Sequence, residues 1–216
     1  MAEAVIFDMD GVIYDSEPGY FYGINKVLGQ FGKQVSMEYN NKYIGGSSRW
    51  YWTDVIKKFD LNLTVESGIR QMNEFRKELL EKEGMKSIDG ALELLHILKC
   101  QGIPLALASS STMSQIKEVV ETFQITDCFQ AFLSGEECTR QKPDPEIFLR
   151  AAEELNILPK DCLVIEDSVN GITAAKKAGM KTIGYHNTEF GSSKVDDADH
   201  VVTSMRDITI KLCREM

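Results

Sequence analysis

Six short apolar runs set the frame for what this chain can fold into: AVIF (4–7), PLALA (104–108), AFL (131–133), CLVIE (162–166), KTIGY (181–185) and HVV (200–202). Each is nearly continuous rather than alternating, and each gives way to polar or glycine residues. Strands covered by helices on both faces read this way, because neither face meets water. Such strands need helices between them, and helical periodicity does separate these runs. In DGALELLHILKCQG the apolar residues fall at 91, 92, 94, 95, 97 and 98, with Gly102 as the stop. TMSQIKEVVETF opens with Thr112 and Gln115 at the spacing of a capping box. PDPEIFLRAAEELNI puts Asp144 at an N-cap and Pro145 at the first helical position. SVNGITAAKKAGM closes on Gly179. The alternation from residue 100 onward predicts an α/β chain with a parallel, doubly wound sheet.

Residues 16 to about 84 differ, because no strong strand pattern occurs there. Tyr20, Ile24, Val27, Leu28 and Phe31 share one helical face. Trp52, Val55, Ile56 and Phe59 share a second, and Ile69, Met72, Phe75 and Leu79 a third. The segment reads as an all-helical insert between the first strand and the rest of the sheet, with EKEGMKSIDG (81–90) as the return linker.

Composition narrows the partners. With 216 residues the chain suits one large domain or a core with a smaller insert, and 43% hydrophobic residues is enough for a packed core. A net charge of -9 argues against a general nucleic-acid surface. The cysteines (Cys100, Cys128, Cys138, Cys162, Cys213) are odd in number and form no CxxC pair, so a reducing compartment is expected and a disulfide framework is not. The first residues, AEAVIFDMDG, lead straight into the first strand, with no basic leader or long apolar span. These features give the expectation of a cytoplasmic, monomeric protein without membrane or nucleic-acid partners.

The acidic pair Asp8 and Asp10 follows the first apolar run at once. A calcium loop counted from Asp8 would need an oxygen ligand where Val12 stands, Gly where Ile13 stands and Glu where Gly19 stands. That reading fails. In extended backbone residues i and i+2 point the same way, so both carboxylates can face one pocket beyond a strand end. Neighbouring carboxylates seldom share a pKa, so one can stay ionised as a nucleophile while the other carries a proton. An acidic turn after a strand is the plainer alternative.

Other strand ends carry matching chemistry. Ser109-Ser110-Ser111 follows PLALA and precedes a helix, where free backbone N–H groups and hydroxyls make an anion site. Lys142 sits just before another helix in RQKPDPEIF, placed to neutralise a phosphoryl group. Glu166 and Asp167 end CLVIE, and paired acids there suit a hard divalent cation. Each has a bland alternative: a helix cap, a surface lysine, an N-cap aspartate. Their joint occurrence at four strand ends favours one site. The three histidines are not spaced as a cluster, so neither a zinc site nor a Ser-His-Asp triad is expected.

The order DMDG (8–11), Ser109, Lys142, then Glu166-Asp167 resembles the four motifs of the haloacid dehalogenase-like hydrolases. VIFDMDGV, ALASSS, KPDPEIFLRAAEELN and IEDSVNGITAAKKAGM are most similar to the branch holding β-phosphoglucomutase and small sugar or polyol phosphatases. The resemblance implies a Rossmann-like core (1–15 and 85–216) with an inserted helical cap (16–84). It implies Asp8 as the nucleophile that forms an aspartyl-phosphate, and Asp10 as the acid, then base. Ser109 would bond the phosphoryl oxygens, and Lys142 would bridge Asp8 and the phosphate. Mg2+ would rest on Asp8, the Asp10 backbone carbonyl and Asp167, with Glu166 beside it. Gly11, Ser110 and Arg49 are the candidate substrate contacts. The cap would close over the site on hinges near 14–18 and 81–90, and YIGGSSRW (43–50) would face the core, with Gly45 and Gly46 in a tight turn.

The mutase branch carries a cap histidine where an ungapped count puts Tyr20 here. Its cap-loop arginine falls at Ser48 rather than Arg49, and its cap lysine at Gln71. A mutase must hold a doubly phosphorylated intermediate, and hydrolysis needs none of these groups. The expectation is therefore a Mg2+-dependent phosphatase acting on a small phosphorylated metabolite. The alternatives are a β-phosphoglucomutase and a non-catalytic binding protein on the same fold. Tyr20, Tyr22, Tyr43, Trp50 and Trp52 are candidate substrate-facing aromatics, with packing inside the insert as the default.

Overall fold

The computed structural model describes residues 2–41, 43, 47–187 and 195–216. Among them six strands form one sheet: β1 (Ala4–Phe7), β2 (Leu105–Ser109), β3 (Ala131–Ser134), β4 (Cys162–Glu166), β5 (Lys181–Tyr185) and β6 (His200–Val202). All pairings are parallel, in the order β3-β2-β1-β4-β5-β6. β1 is central, with Phe7 opposite Leu107 on one side and Ile165 on the other. The expected strands are all present, and β4, β5 and β6 keep the expected bounds.

Side-chain alternation sends each central strand to two cores. Val5, Phe7, Leu105, Leu107, Leu163 and Ile165 face one side, and Ala4, Ile6, Ala106, Ala108, Cys162 and Val164 face the other. On the first side lie α5 (Ala91–Cys100), α6 (Met113–Thr122) and α9 (Ile210–Glu215). On the second lie α7 (Glu146–Leu155) and α8 (Val169–Lys177). That side is rich in alanine, so the α7 and α8 backbones can approach the sheet closely. Burial on both faces is why the strands read as continuous apolar runs.

The helix ends follow the sequence with one shift. Thr112 and Gln115 form the capping box of α6. Gly102 and Gly179 take positive φ beyond their helices. The N-cap of α7 is Pro145 rather than Asp144, whose Oδ1 still accepts from the Glu146 N–H at 3.1 Å.

Between β1 and β2 the chain forms α1 (Glu17–Gly29), α2 (Met37–Asn41), α3 (Ser48–Phe59) and α4 (Val65–Glu83). Ile24, Val27, Leu28, Trp52, Val55 and Met72 make their own apolar cluster, with Tyr20, Phe31, Ile56, Phe59, Ile69 and Phe75 packed on it. Leu79 is not in this cluster, and the adjacent Leu80 packs against the sheet core instead. The helix α4 also runs three residues into the expected return linker. The two connectors lie side by side: Asp15 N–H donates to the Lys86 carbonyl at 2.9 Å, and Ile88 N–H to the Ile13 carbonyl at 2.9 Å.

Candidate active site

β1 and β4 are neighbours, yet the chain leaves them towards opposite edges of the sheet. Such a switch opens a crevice beyond the carboxyl ends of the strands. Asp8 leaves β1 there, Ser109 ends β2, Glu166 ends β4 and Asp167 follows it. A cleft of about 820 Å³ lies over this rim. Asp8, Asp10, Ser109, Ser110, Lys142, Glu166 and Asp167 line it from the sheet side. Glu17, Tyr20, Asn40, Tyr43, Trp50 and Tyr51 line it from the helical insert.

Lys142 comes from the loop between β3 and α7. Its Nζ donates to Asp8 Oδ1 at 2.6 Å, to Glu166 Oε1 at 2.8 Å and to the Ala108 carbonyl at 3.1 Å. An ammonium has three protons, so these acceptors fix it fully. Burial alone would push its pKa down, but Asp8 and Glu166 outweigh burial and hold it above the ordinary value. Lys142 is a fixed positive charge.

Glu166 uses both carboxylate oxygens within the protein. Oε1 takes Lys142, and Oε2 accepts from the Ser168 N–H at 2.8 Å and the Ser168 hydroxyl at 2.9 Å. A Cβ at Gly171 on α8 would fall on this carboxylate. Glu166, which the sequence puts with or beside the cation ligands, is also the residue that holds Lys142.

Asp10 Oδ2 accepts from the Ser111 hydroxyl at 2.7 Å. The Ser111 N–H donates to Ser109 Oγ at 3.0 Å, and its carbonyl accepts from Ser134 Oγ at 2.7 Å. Ser109 Oγ accepts in this turn, which leaves its own proton to donate into the cleft. The sequence named Ser111 only within the Ser109-Ser110-Ser111 run, without its bond to Asp10, and Ser168 was not singled out, since it reads as an ordinary serine before a helix.

The site is strongly acidic. Burial, with Glu166 and Asp10 adding to it and Lys142 opposing, pushes the Asp8 carboxyl up to about 7. Burial and then the charges of Glu166 and Asp8 hold Asp167 well above the usual carboxylate range. Glu17 is pushed up to about 7 by burial and by Asp10. These acids share the cleft with Lys142, and the Arg76 guanidinium lies 3.5 Å from the centre of the Tyr20 ring. Excess negative charge on oxygen donors fits a hard divalent cation. Among the described residues no group of three or more side chains of metal-ligating type is placed to hold an ion. Two carboxylates and a backbone carbonyl are a smaller set, and Mg2+ keeps several waters for the rest.

Gly11 is not a wall of the cleft. It has φ +78, and a Cβ there would fall on the Asp167 carboxylate. Its bareness lets Asp167 come close to the β1 loop. Arg49 does not join the cleft either. Its guanidinium pairs with Glu66 at 2.9 Å on an exposed face of the insert. Helical rotation puts Ser48 and Tyr51 on the cleft side and Arg49 off it. Gly45 and Gly46 lie outside the described residues. Of the candidate aromatics, Tyr20, Tyr43 and Trp50 line the cleft, whereas Trp52 is buried inside the insert. Tyr51 and Asn40 also line it, and no sequence pattern announced them.

The sequence matches the model of the haloacid dehalogenase-like hydrolase family over residues 5–185. It is 33% identical over 181 residues to the phosphorylated carbohydrates phosphatase of Thermotoga maritima, covering 84% of this chain and 83% of that one. It is 31% identical over 212 residues to the bifunctional riboflavin kinase/FMN phosphatase of Arabidopsis thaliana, covering 98% of this chain. The chain spans only 55% of that relative's length. Among solved structures, β-phosphoglucomutase from Clostridium difficile superposes with a TM-score of 0.81 at 27% identity, covering 100% of this chain and 96% of that one.

Proposed function

The chain belongs to the haloacid dehalogenase-like hydrolases, and from that membership we propose that it is a Mg2+-dependent phosphatase of a small phosphorylated sugar or polyol. The observation that carries this reading is the Lys142 ammonium fixed 2.6 Å from Asp8 Oδ1, in the wall of a cleft that Asp10 also lines. The working unit is read as a monomer with a sheet core (1–15 and 85–216) and a helical cap (16–84), and described residues of both line the cleft.

In this mechanism the Asp8 carboxylate attacks phosphorus, forming an acyl-phosphate bond as the ester P–O bond breaks. Asp10 gives its proton to the departing alkoxide. The Asp10 carboxylate then takes a proton from a water that attacks the phosphorus, returning Asp8 and releasing inorganic phosphate. Two moderate steps replace one difficult displacement. Lys142 and the Ser109 hydroxyl balance charge on the phosphoryl oxygens, and Ser111 aims Asp10. Asp8, Asp167 and the Asp10 carbonyl would hold Mg2+, which when bound supplies positive charge beside the nucleophile and the phosphoryl group.

The likeness to a mutase structure supports a second reading, β-phosphoglucomutase. Tyr20 weighs against it. Burial, then the Asp10 and Glu17 charges, with Arg76 opposing, push its hydroxyl up to about 12. It therefore stays protonated at neutral pH, where a histidine could exchange protons. The test is a panel of phosphate esters with Mg2+, following free phosphate and, with a bisphosphate primer present, the conversion of glucose 1-phosphate to glucose 6-phosphate. Phosphate release that Asp8→Asn abolishes in a folded protein supports the phosphatase. Isomerisation without net release would establish the mutase, and inactivity throughout would favour a binding protein.

A further inference from the structure

We infer that Glu17 sorts substrates by the charge on their organic part: the cleft takes phosphate esters whose organic part is neutral or carries an ammonium group, and turns away those with a second anion. The inference rests on the phosphatase reading and deepens it. Glu17 opens α1 and lines the cleft from the insert. It is half-buried, and its carboxylate is not sealed from solvent as Asn40 Oδ1 and the Tyr51 hydroxyl are. Among the described residues nothing hydrogen-bonds that carboxylate. It feels burial and the Asp10 and Asp15 charges, with Arg76 opposing. Asp10 protonates the departing oxygen in the mechanism above, so the organic part begins beside Asp10. Glu17, within range of the Asp10 charge, stands at that end of the cleft.

A second anion would find no partner there. Among the described residues that line the cleft, Lys142 is the one cation, and Asp8, Glu166 and the Ala108 carbonyl take its three protons. Arg76 is buried and does not line the cleft. Its Nη1 donates to Asn73 Oδ1 at 3.3 Å, and its guanidinium lies over the Tyr20 ring. A Mg2+ held by Asp8 and Asp167 would be engaged with the phosphoryl group. A carboxylate or second phosphate beside the uncompensated Glu17 charge is therefore repelled, and protein walls screen that repulsion less than water does. An ammonium group gains from the same charge, and the Tyr20, Tyr43 and Trp50 rings of the cleft wall offer it their faces. A neutral organic part neither gains nor loses. A bisphosphate loses, which sets Glu17 against the mutase reading too.

The experiment measures kcat/KM with Mg2+ at pH 8, where Glu17, pushed up to about 7, is ionised. Two sets of esters differ in charge at nearly constant shape: sorbitol 6-phosphate against 6-phosphogluconate, and ethylene glycol monophosphate against phosphoglycolate and phosphoethanolamine. The wild type is expected to favour the neutral ester over its carboxylate partner by at least about tenfold, and to turn over phosphoethanolamine at least as well as the glycol ester. Glu17→Gln should narrow the gap against the carboxylates by roughly tenfold and lower the phosphoethanolamine rate relative to the glycol ester. Glu17→Asp, which keeps the charge, should keep the wild-type order. Ratios within each set cancel any general effect of Glu17 on Asp10 or on folding. A wild type that handles the carboxylate esters within about twofold of their neutral partners overturns the inference. So does a gap that Glu17→Gln leaves unchanged within about twofold, or a wild type that disfavours phosphoethanolamine. No phosphate release from any ester, phenyl phosphate included, would overturn the phosphatase reading and the inference with it.

Discussion

Lys142 Nζ stands 2.6 Å from Asp8 Oδ1, joining residues 134 positions apart in the chain. The contact is buried, and Glu166 completes it from the far side at 2.8 Å. The lysine thus sits between two carboxylates on adjacent strands. It cancels part of their repulsion and offers Asp8 a fixed electrostatic partner.

Replacing Lys142 by Met should leave two buried carboxylates facing each other. Breaking a buried pair costs about 3–5 kcal/mol. The loss should be smaller at pH 6 than at pH 8, because a proton on Asp8 can replace the missing charge. Urea denaturation at the two pH values checks this, and an equal loss at both would contradict it.

The close approach of Gly171 to Glu166 separates activity from stability. Gly171→Ala should displace the carboxylate, release Lys142 and lower kcat by at least about tenfold, with a stability loss of about 1–3 kcal/mol. Gly179→Ala is the comparison, since Gly179 has φ +78 but open space around it. It should cost about 1 kcal/mol of strain and leave kcat alone. Steady-state kinetics beside thermal melts would show whether the two glycines divide this way.

Ser111→Ala should lower kcat by roughly tenfold, the weight of one hydrogen bond to a charged group, with KM little changed. The cause is Asp10, which loses the 2.7 Å bond that aims it. Equal loss in kcat/KM for esters with good and poor leaving groups would count against a proton-transfer role. A larger loss with the poor leaving group supports it.

The acid cluster sets a pH dependence. Asp8 is raised from 3.8 to about 7 and Asp167 is raised as well. Between about pH 4 and 7 the folded chain therefore holds protons that the unfolded chain has released. The stability so gained is present below pH 4 and lost as pH rises through about 7. Without Mg2+ the melting temperature should fall between pH 5.5 and 8. Saturating Mg2+ should flatten that fall by compensating the ionised carboxylates. A metal-free melting temperature that rises over this range would rule the account out.

Much of this was legible in the residues, and the reasons differ by element. β1 and β4 were readable because full burial leaves an unbroken apolar run. The capping box of α6 was readable because it is a local pattern. The helix α2 was not, since Met37–Asn41 is too short to show periodicity. Asp8, Asp10, Ser109, Lys142 and Asp167 could be found because each follows a strand or precedes a helix, and the sheet brings those ends together. The hold of Glu166 on Lys142 could not, because it depends on Lys142 and Ser168 reaching it. Arg49 turned away from the cleft for the same kind of reason. Its partner, Glu66, belongs to another helix, and one sequence does not show which helices touch.

The paired connectors at Asp15–Lys86 and Ile13–Ile88 bring the entrance and exit of the helical insert to one place. A segment whose ends already meet behaves as a cassette: what lies beyond the splice can be exchanged while the sheet keeps its register. The insert brings Asn40, Tyr43 and Tyr51 to the cleft, and the sheet brings Asp8, Asp10 and Lys142. Grafting another insert at this splice would therefore change what the cleft recognises and leave its reactive groups in place.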